Sequence, residues 1–154
     1  VPESALWWEI VAGVVFQGRA ALTLDGKGRM TIPARHRDAL QALCDGRLVL
    51  TNHVDGCLWL FPQPAWEVYR DKLVALPSSA SKVKRFYLGS AMEVEVDGSS
   101  RVLIAPELRA ASDLERDVML LGMGDRFEIW DAQKLAENEA TLKDQPHLLE
   151  GLPL

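Results

Sequence analysis

Two short stretches of the chain alternate apolar and polar positions, and the same punctuation follows both. Leu22 and Leu24 flank Thr23, while Met92, Val94 and Val96 alternate with Glu93 and Glu95. That is the period of a strand with one buried face. Asp25-Gly26 and Asp97-Gly98 come next. Asp-Gly is a strong turn signal, because aspartate bonds nearby backbone N–H groups and glycine accepts positive φ. Second strands are predicted at 29–32 and 101–104. Pro33 and Pro106 then suit the first turn of a helix, where a missing N–H costs nothing. The pattern predicts short helices over 33–43 and 106–112, and second hairpins turning at Asp55-Gly56 and at 122–125. Helices near 64–75 and 132–142 close the two series, and a helix over 79–88 joins them.

The two series are copies. Residues 21–40 and 93–112 align at a constant shift of 72, superposing Asp25 on Asp97, Gly26 on Gly98, Arg29 on Arg101, Ile32 on Ile104 and Arg37 on Arg109. Further on, LVL at 48–50 answers VML at 118–120, and LWLF at 58–61 answers FEIW at 127–130. Each unit is then a β–β–α–β–β–α module of about 55 residues, too small to bury much surface alone. Two modules that interleave their first hairpins would share one core. The expected fold is α+β and β-rich, a pseudo-twofold β-barrel with flanking helices. Residues 16–76 form the first repeat, 77–88 a linker helix, 89–142 the second repeat and 143–154 a C-terminal tail. Residues 1–15 read as an upstream extension, with Val15 standing where an alternative start codon would encode the initiator. Mass spectrometry of the protein from its own cell tests this, and an amino terminus at Val1 ends the idea.

Composition narrows the class. The chain is 48% hydrophobic and 25% charged, ordinary for a globular protein. No run reaches the roughly 18 apolar residues of a membrane span. The apolar stretch 5–16 carries Glu9 and has no basic leader, so a cytoplasmic protein is expected. Cys44 and Cys57 lack a CxxC partner or a neighbouring histidine cluster, and read as small hydrophobes in a reducing compartment. No metal or other cofactor is expected. Enzymatic patterns are missing: there is no phosphate loop, no candidate nucleophile, and no informative partner for His36, His53 or His147. His36 reads as a helix-surface residue. No catalytic residue or small-molecule substrate is assigned. Trp59, Trp66 and Trp130 read as core anchors, Lys82, Lys84 and Arg85 as a solvated helix face, and Glu93 and Glu95 as solvent-facing acids.

The net charge of −5 disfavours nucleic acid until it is divided along the chain. Residues 16–89 hold eleven Lys/Arg against six Asp/Glu, and residues 90–154 hold six against fourteen. Within 16–37 there are five basic residues, Arg19, Lys27, Arg29, Arg35 and Arg37, against the single acid Asp25. DNA affinity comes largely from neutralised phosphates, so the first repeat is expected to face DNA while the second completes the fold. Arg29 suits a bidentate contact to guanine, Lys27 a phosphate, and Arg19, Arg35 and Arg37 rank as phosphate-positioning candidates.

The pairs Asp25/Arg29, within DGKGR, and Asp97/Arg101, within DGSSR, each followed by an apolar pair and proline, resemble the signature of the MraZ family. That family is similar to tandem copies of the swapped-hairpin domain of AbrB-like transition-state regulators. The resemblance runs from Phe16 to about Leu142. It implies a repressor of the division and cell-wall gene cluster, nucleoid-associated. It further implies a ring-shaped homo-oligomer that binds direct repeats in double-stranded DNA with Arg29 near the bases. Arg101 takes the corresponding place in the second copy, where Ser99 replaces Lys27. Two other readings remain: an antitoxin-like swapped-hairpin regulator, and a ring-forming structural module for protein partners.

Overall fold

The computed structural model describes residues 14–154; the expected extension over 1–15 lies outside them except for its last two positions. The chain runs β1 (Arg19–Thr23), β2 (Arg29–Thr31), α1 (Ala34–Cys44), β3 (Arg47–Asn52), β4 (Leu58–Pro62), α2 (Gln63–Val74) and α3 (Ser81–Tyr87). It continues through β5 (Met92–Glu95), β6 (Arg101–Leu103), α4 (Pro106–Ala111), β7 (Asp117–Gly122), β8 (Phe127–Asp131) and α5 (Ala132–Ala140). Local chemistry sets these limits. Pro33 stands immediately before α1, and Asp45 ends it in the left-handed region at φ 55°. Asp131 caps α5 by accepting the Lys134 N–H at 3.0 Å.

Six strands form one antiparallel sheet in the order β1-β7-β8-β4-β3-β5. The first strand of each repeat pairs with the other repeat: β1 lies on β7, with Leu22 opposite Val118, and β5 lies on β3, with Val94 opposite Leu48. The two halves meet at β4 and β8, where Leu58, Trp59 and Leu60 face Ile129, Glu128 and Phe127. This register is symmetric about the Trp59–Glu128 pair, and Glu128 accepts the indole N–H groups of both Trp59 and Trp130. Strands β2 and β6 leave the large sheet and pair only with each other, symmetric about Met30 opposite Val102. The expected barrel therefore does not close. Its second strands form a separate ribbon over one sheet face, and β1 and β5 remain as edges.

Strand alternation builds two cores. Met30, Ile32, Val102 and Ile104, from the ribbon and the residues just after it, are fully buried. They pack on Leu48, Leu50, Leu58, Leu60, Leu120, Phe127 and Ile129 of the sheet, with Leu40 and Leu108 from α1 and α4. The opposite sheet face presents Val49, Trp59, Phe61, Leu121 and Trp130 to Trp66 and Leu73 of α2 and Leu135 of α5. The three tryptophans are thus core residues, as is Cys57, whose thiol burial pushes up to about 12; Cys44 is half-buried.

Helix limits match the sequence to within two residues, except that 79–88 divides into a 3₁₀ turn at Ser78–Ala80 and α3. The positive φ expected after each aspartate falls two residues further on. Neither Gly26 nor Gly98 has positive φ; the left-handed residues are Gly28 (φ 83°) and Ser100 (φ 62°), one position before each arginine. Pairing of the first segment also begins before β1, since Phe16 and Gly124 exchange both backbone hydrogen bonds (2.9 and 2.8 Å). Gly122 makes this approach possible, for a Cβ there would fall onto the backbone of Phe16 and Gln17. Backbone cannot yield as a side-chain tip can, so Gly122→Ala is expected to cost about 1–3 kcal/mol of stability. Chemical denaturation measures it, and an unchanged midpoint contradicts the tight crossing.

Candidate nucleic-acid interface

The aspartate of each copy builds the turn that presents its arginine. Asp25 Oδ1 accepts the backbone N–H groups of Lys27 and Arg29, both at 2.9 Å, while Oδ2 accepts Arg29 Nε at 2.6 Å. Asp97 repeats this with Ser99 N (2.8 Å), Arg101 N (2.9 Å) and Arg101 Nε (3.2 Å). The four-residue spacing follows, because the turn folds residue 29 back over residue 25 and closes with Asp25 N–H donating to Arg29 O at 3.0 Å. Bonds to the ionised form favour it. The Arg29 backbone N–H, then its side-chain N–H and that of the Lys27 backbone, hold the Asp25 carboxyl down to about 2. Asp97 is lowered in the same direction, chiefly by the Arg101 N–H. Each guanidinium is fixed through Nε. Neither terminal nitrogen of Arg29 has a hydrogen-bond acceptor among the described residues.

The ribbon brings both arginines to one surface. Arg29 stands opposite Leu103 and Arg101 opposite Thr31, so these four side chains share the outer face while Met30 and Val102 point inward. Arg101 Nη1 lies 3.9 Å from the same Asp25 Oδ2 that holds Arg29. The two Asp–Arg units, one from each repeat, are diagonal neighbours on this face.

The remaining cations differ in position. Lys27 is exposed in the first turn, with no ion pair among the described residues. Arg37 Nε donates to Ile32 O at 2.8 Å, at the end of the ribbon. Arg109, its symmetry mate, donates Nε to Ile104 O at 2.9 Å and lies against Gly28. Arg109 is absent from the candidates the sequence offers, and the repeat alignment, which superposes it on Arg37, is the signal that could have found it. Arg35 lies beside Gly18 and donates Nε to His36 Nε2 at 3.2 Å. Arg19 belongs to a different surface. Its strand turns Leu22 toward the ribbon-side core and Arg19 toward α5, where Glu139 accepts both terminal nitrogens at 2.7 and 2.8 Å.

His36 is not the surface residue expected. It is 7% exposed and packs against Phe16 and Phe127 with ring centroids 5.8 and 4.9 Å away. Burial, then the Arg35 cation, push its pKa down, which favours the neutral ring. Among the described residues no group of His, Cys, Asp and Glu is placed to hold a metal ion, and no helix is long and apolar enough to cross a membrane.

The ribbon thus offers two oriented guanidiniums beside Lys27, Arg37 and Arg109, with its two local acids already engaged. A two-stranded ribbon fits the major groove of B-DNA, where arginine can donate two bonds to guanine O6 and N7. Orientation depends on the Asp25 carboxylate. The folded chain takes up its proton near pH 2 and an unfolded aspartate near about 3.9. The carboxylate's contribution is therefore complete above about pH 4 and is lost as the pH falls from there to about 2. The Asp25 carboxyl carbon should titrate by NMR with a midpoint about 2; a midpoint in the ordinary carboxylate range contradicts the turn geometry in solution.

The family model described as "MraZ protein, putative antitoxin-like" matches residues 15–87 and again 87–147, one match for each repeat. The "Transcriptional regulator MraZ" of Methylibium petroleiphilum is 57% identical over 143 residues, 93% of this chain and 94% of its own length. Its namesake in Paraburkholderia phytofirmans is 56% identical over 139 residues, covering 90% and 94%. That of a Janthinobacterium species is 60% identical over 126 residues, covering 82% and 89%. With both repeats matched and the similarity running nearly end to end, the chain belongs to the MraZ family.

Proposed function

We propose that the chain is a regulator of transcription that binds double-stranded DNA sequence-specifically through the outer face of the β2–β6 ribbon. One observation carries this: two aspartate-anchored arginines, one from each repeat, stand diagonally on a single exposed ribbon. Arg29 and Arg101 read base edges, Lys27 neutralises phosphate, and Arg37 and Arg109 flank the ribbon. Arg19, held by Glu139 on the other face, and Arg35, beside Gly18, have no part in base reading. The names of the relatives, all transcriptional regulators, support the regulatory role.

The finer reading follows the family resemblance. The exchanged first strands form a swapped-hairpin pair within one chain, and several chains assemble as a ring on direct repeats. The protein represses the division and cell-wall gene cluster and associates with the nucleoid. Physical chemistry gives the ring a purpose. A single ribbon offers few phosphate contacts, so its binding is weak and falls steeply with salt. Several identical ribbons held together raise the effective concentration at neighbouring sites.

Gel-shift titration on repeat-containing and scrambled DNA, at two salt concentrations, tests the reading. Arg29→Ala is expected to lose about 1–3 kcal/mol of discrimination, the worth of one bidentate base contact. Arg101→Ala should lose discrimination too, somewhat less, because its aspartate holds it more loosely. Lys27→Ala should weaken all DNA alike and lower the salt slope by about one. If binding at low salt is absent on every sequence, the structural-module reading takes its place. An antitoxin-like role, which the family description also names, requires a protein toxin as partner; retention of a toxin with no preference for repeat DNA would favour it.

A further inference from the structure

We infer that Arg109, on the second repeat, is a positioning residue for the first repeat's reading turn, which it braces by lying flat over Gly28. The inference rests on the proposal that Arg29 reads DNA. Gly28 immediately precedes Arg29 and is buried, with φ 83°. A Cβ on Gly28 would lie 2.6 Å from both Cζ and Nε of Arg109, so the guanidinium occupies the space any side chain at position 28 would need.

One residue couples the two. The Ile104 N–H donates to Gly28 O at 3.0 Å, and Ile104 O accepts Arg109 Nε at 2.9 Å. The turn is gripped from below by Ile104, the residue after β6, and from above by an arginine that the same residue holds in place. Strand and helix of one repeat therefore fix the residue that aims the arginine of the other. Arg109 acts through Gly28, without itself touching a base.

The symmetry-related site shows what this bracing requires. Arg37 Nε donates to Ile32 O at 2.8 Å, and the Ile32 N–H donates to Ser100 O at 2.7 Å. There the left-handed residue is Ser100, which carries its own Cβ, and Arg37 is exposed where Arg109 is half-buried. The two arginines share their backbone bonds, yet only the glycine copy lets a guanidinium close over the turn. The tighter Asp–Arg pair, 2.6 Å against 3.2 Å, belongs to that copy.

The test compares Arg109→Lys, which keeps the charge without the flat guanidinium, and Arg109→Gln, which keeps a long stem without charge. Circular dichroism establishes that both fold. If Arg109 positions the turn, both variants lose about tenfold in preference for repeat over scrambled DNA, most of one bidentate contact. Arg109→Lys then keeps its non-specific affinity and salt slope, and without DNA the Asp25 midpoint rises from about 2 in both variants. If Arg109 instead contacts phosphate, Arg109→Lys binds like the parent, Arg109→Gln weakens on all DNA with a slope lower by about one, and the Asp25 midpoint stays put. Either an unmoved midpoint or an unchanged preference overturns the inference. The DNA-reading proposal fails separately, if Arg29→Ala leaves binding untouched while the Asp25 midpoint still responds to substitution at 109.

Discussion

Everything in this molecule depends on the pairing of β2 with β6. Met30 and Val102, at the centre of that pairing, are completely buried, so the ribbon cannot lift away without opening the ribbon-side core. Its few hydrogen bonds add to the three strand pairings of the large sheet that join the two repeats, and they hold a cover over one face of that sheet. They also turn two arginines outward on a shared surface. Strands this short are not stable alone in water; what holds them is the apolar underside and the neighbouring strands that each repeat lends to the other.

The turns work on a smaller scale with the same economy. An aspartate that accepts two backbone N–H groups shapes the loop, and its remaining oxygen aims the arginine four residues later. Shape and aim thus come from one carboxylate. Surface ion pairs add little stability, so the Asp25–Arg29 pair matters for orientation. Restricting a long side chain before it meets a ligand lowers the entropy lost on binding.

Much of this was legible in the residues themselves. Strand period, proline placement and the shift of 72 located nearly every element, because each signal is local and occurs twice. The repeat alignment marked Asp25, Arg29, Asp97 and Arg101, though not their meeting on one ribbon. Which strand pairs with which is a long-range choice, and β1 gives no sign that its partner is β7, almost a hundred residues away. Charge counting is blind to position for the same reason: folding sends Arg19 to an acid on α5, and brings Arg101 within 3.9 Å of the aspartate that holds Arg29. His36 misled because neighbouring arginines suggest a wet surface, whereas Phe16 and Phe127 enclose its ring. Gly26 was credited with a conformation that Gly28 adopts, since the aspartate bonds reach two and four residues onward.

The segment 78–87, a 3₁₀ turn running into α3, joins two modules whose first strands are exchanged. Because that joint is covalent, the exchange is a unimolecular event, and dilution cannot undo it as it would undo a pair of separate chains. The tether also frees the two copies to diverge. Gly28 and Ser100 sit at equivalent places, yet a single substitution changes only one of them, whereas a pair of identical chains would have to accept it twice. Duplication followed by fusion thus permits one side of a nearly symmetric surface to be tuned independently of the other.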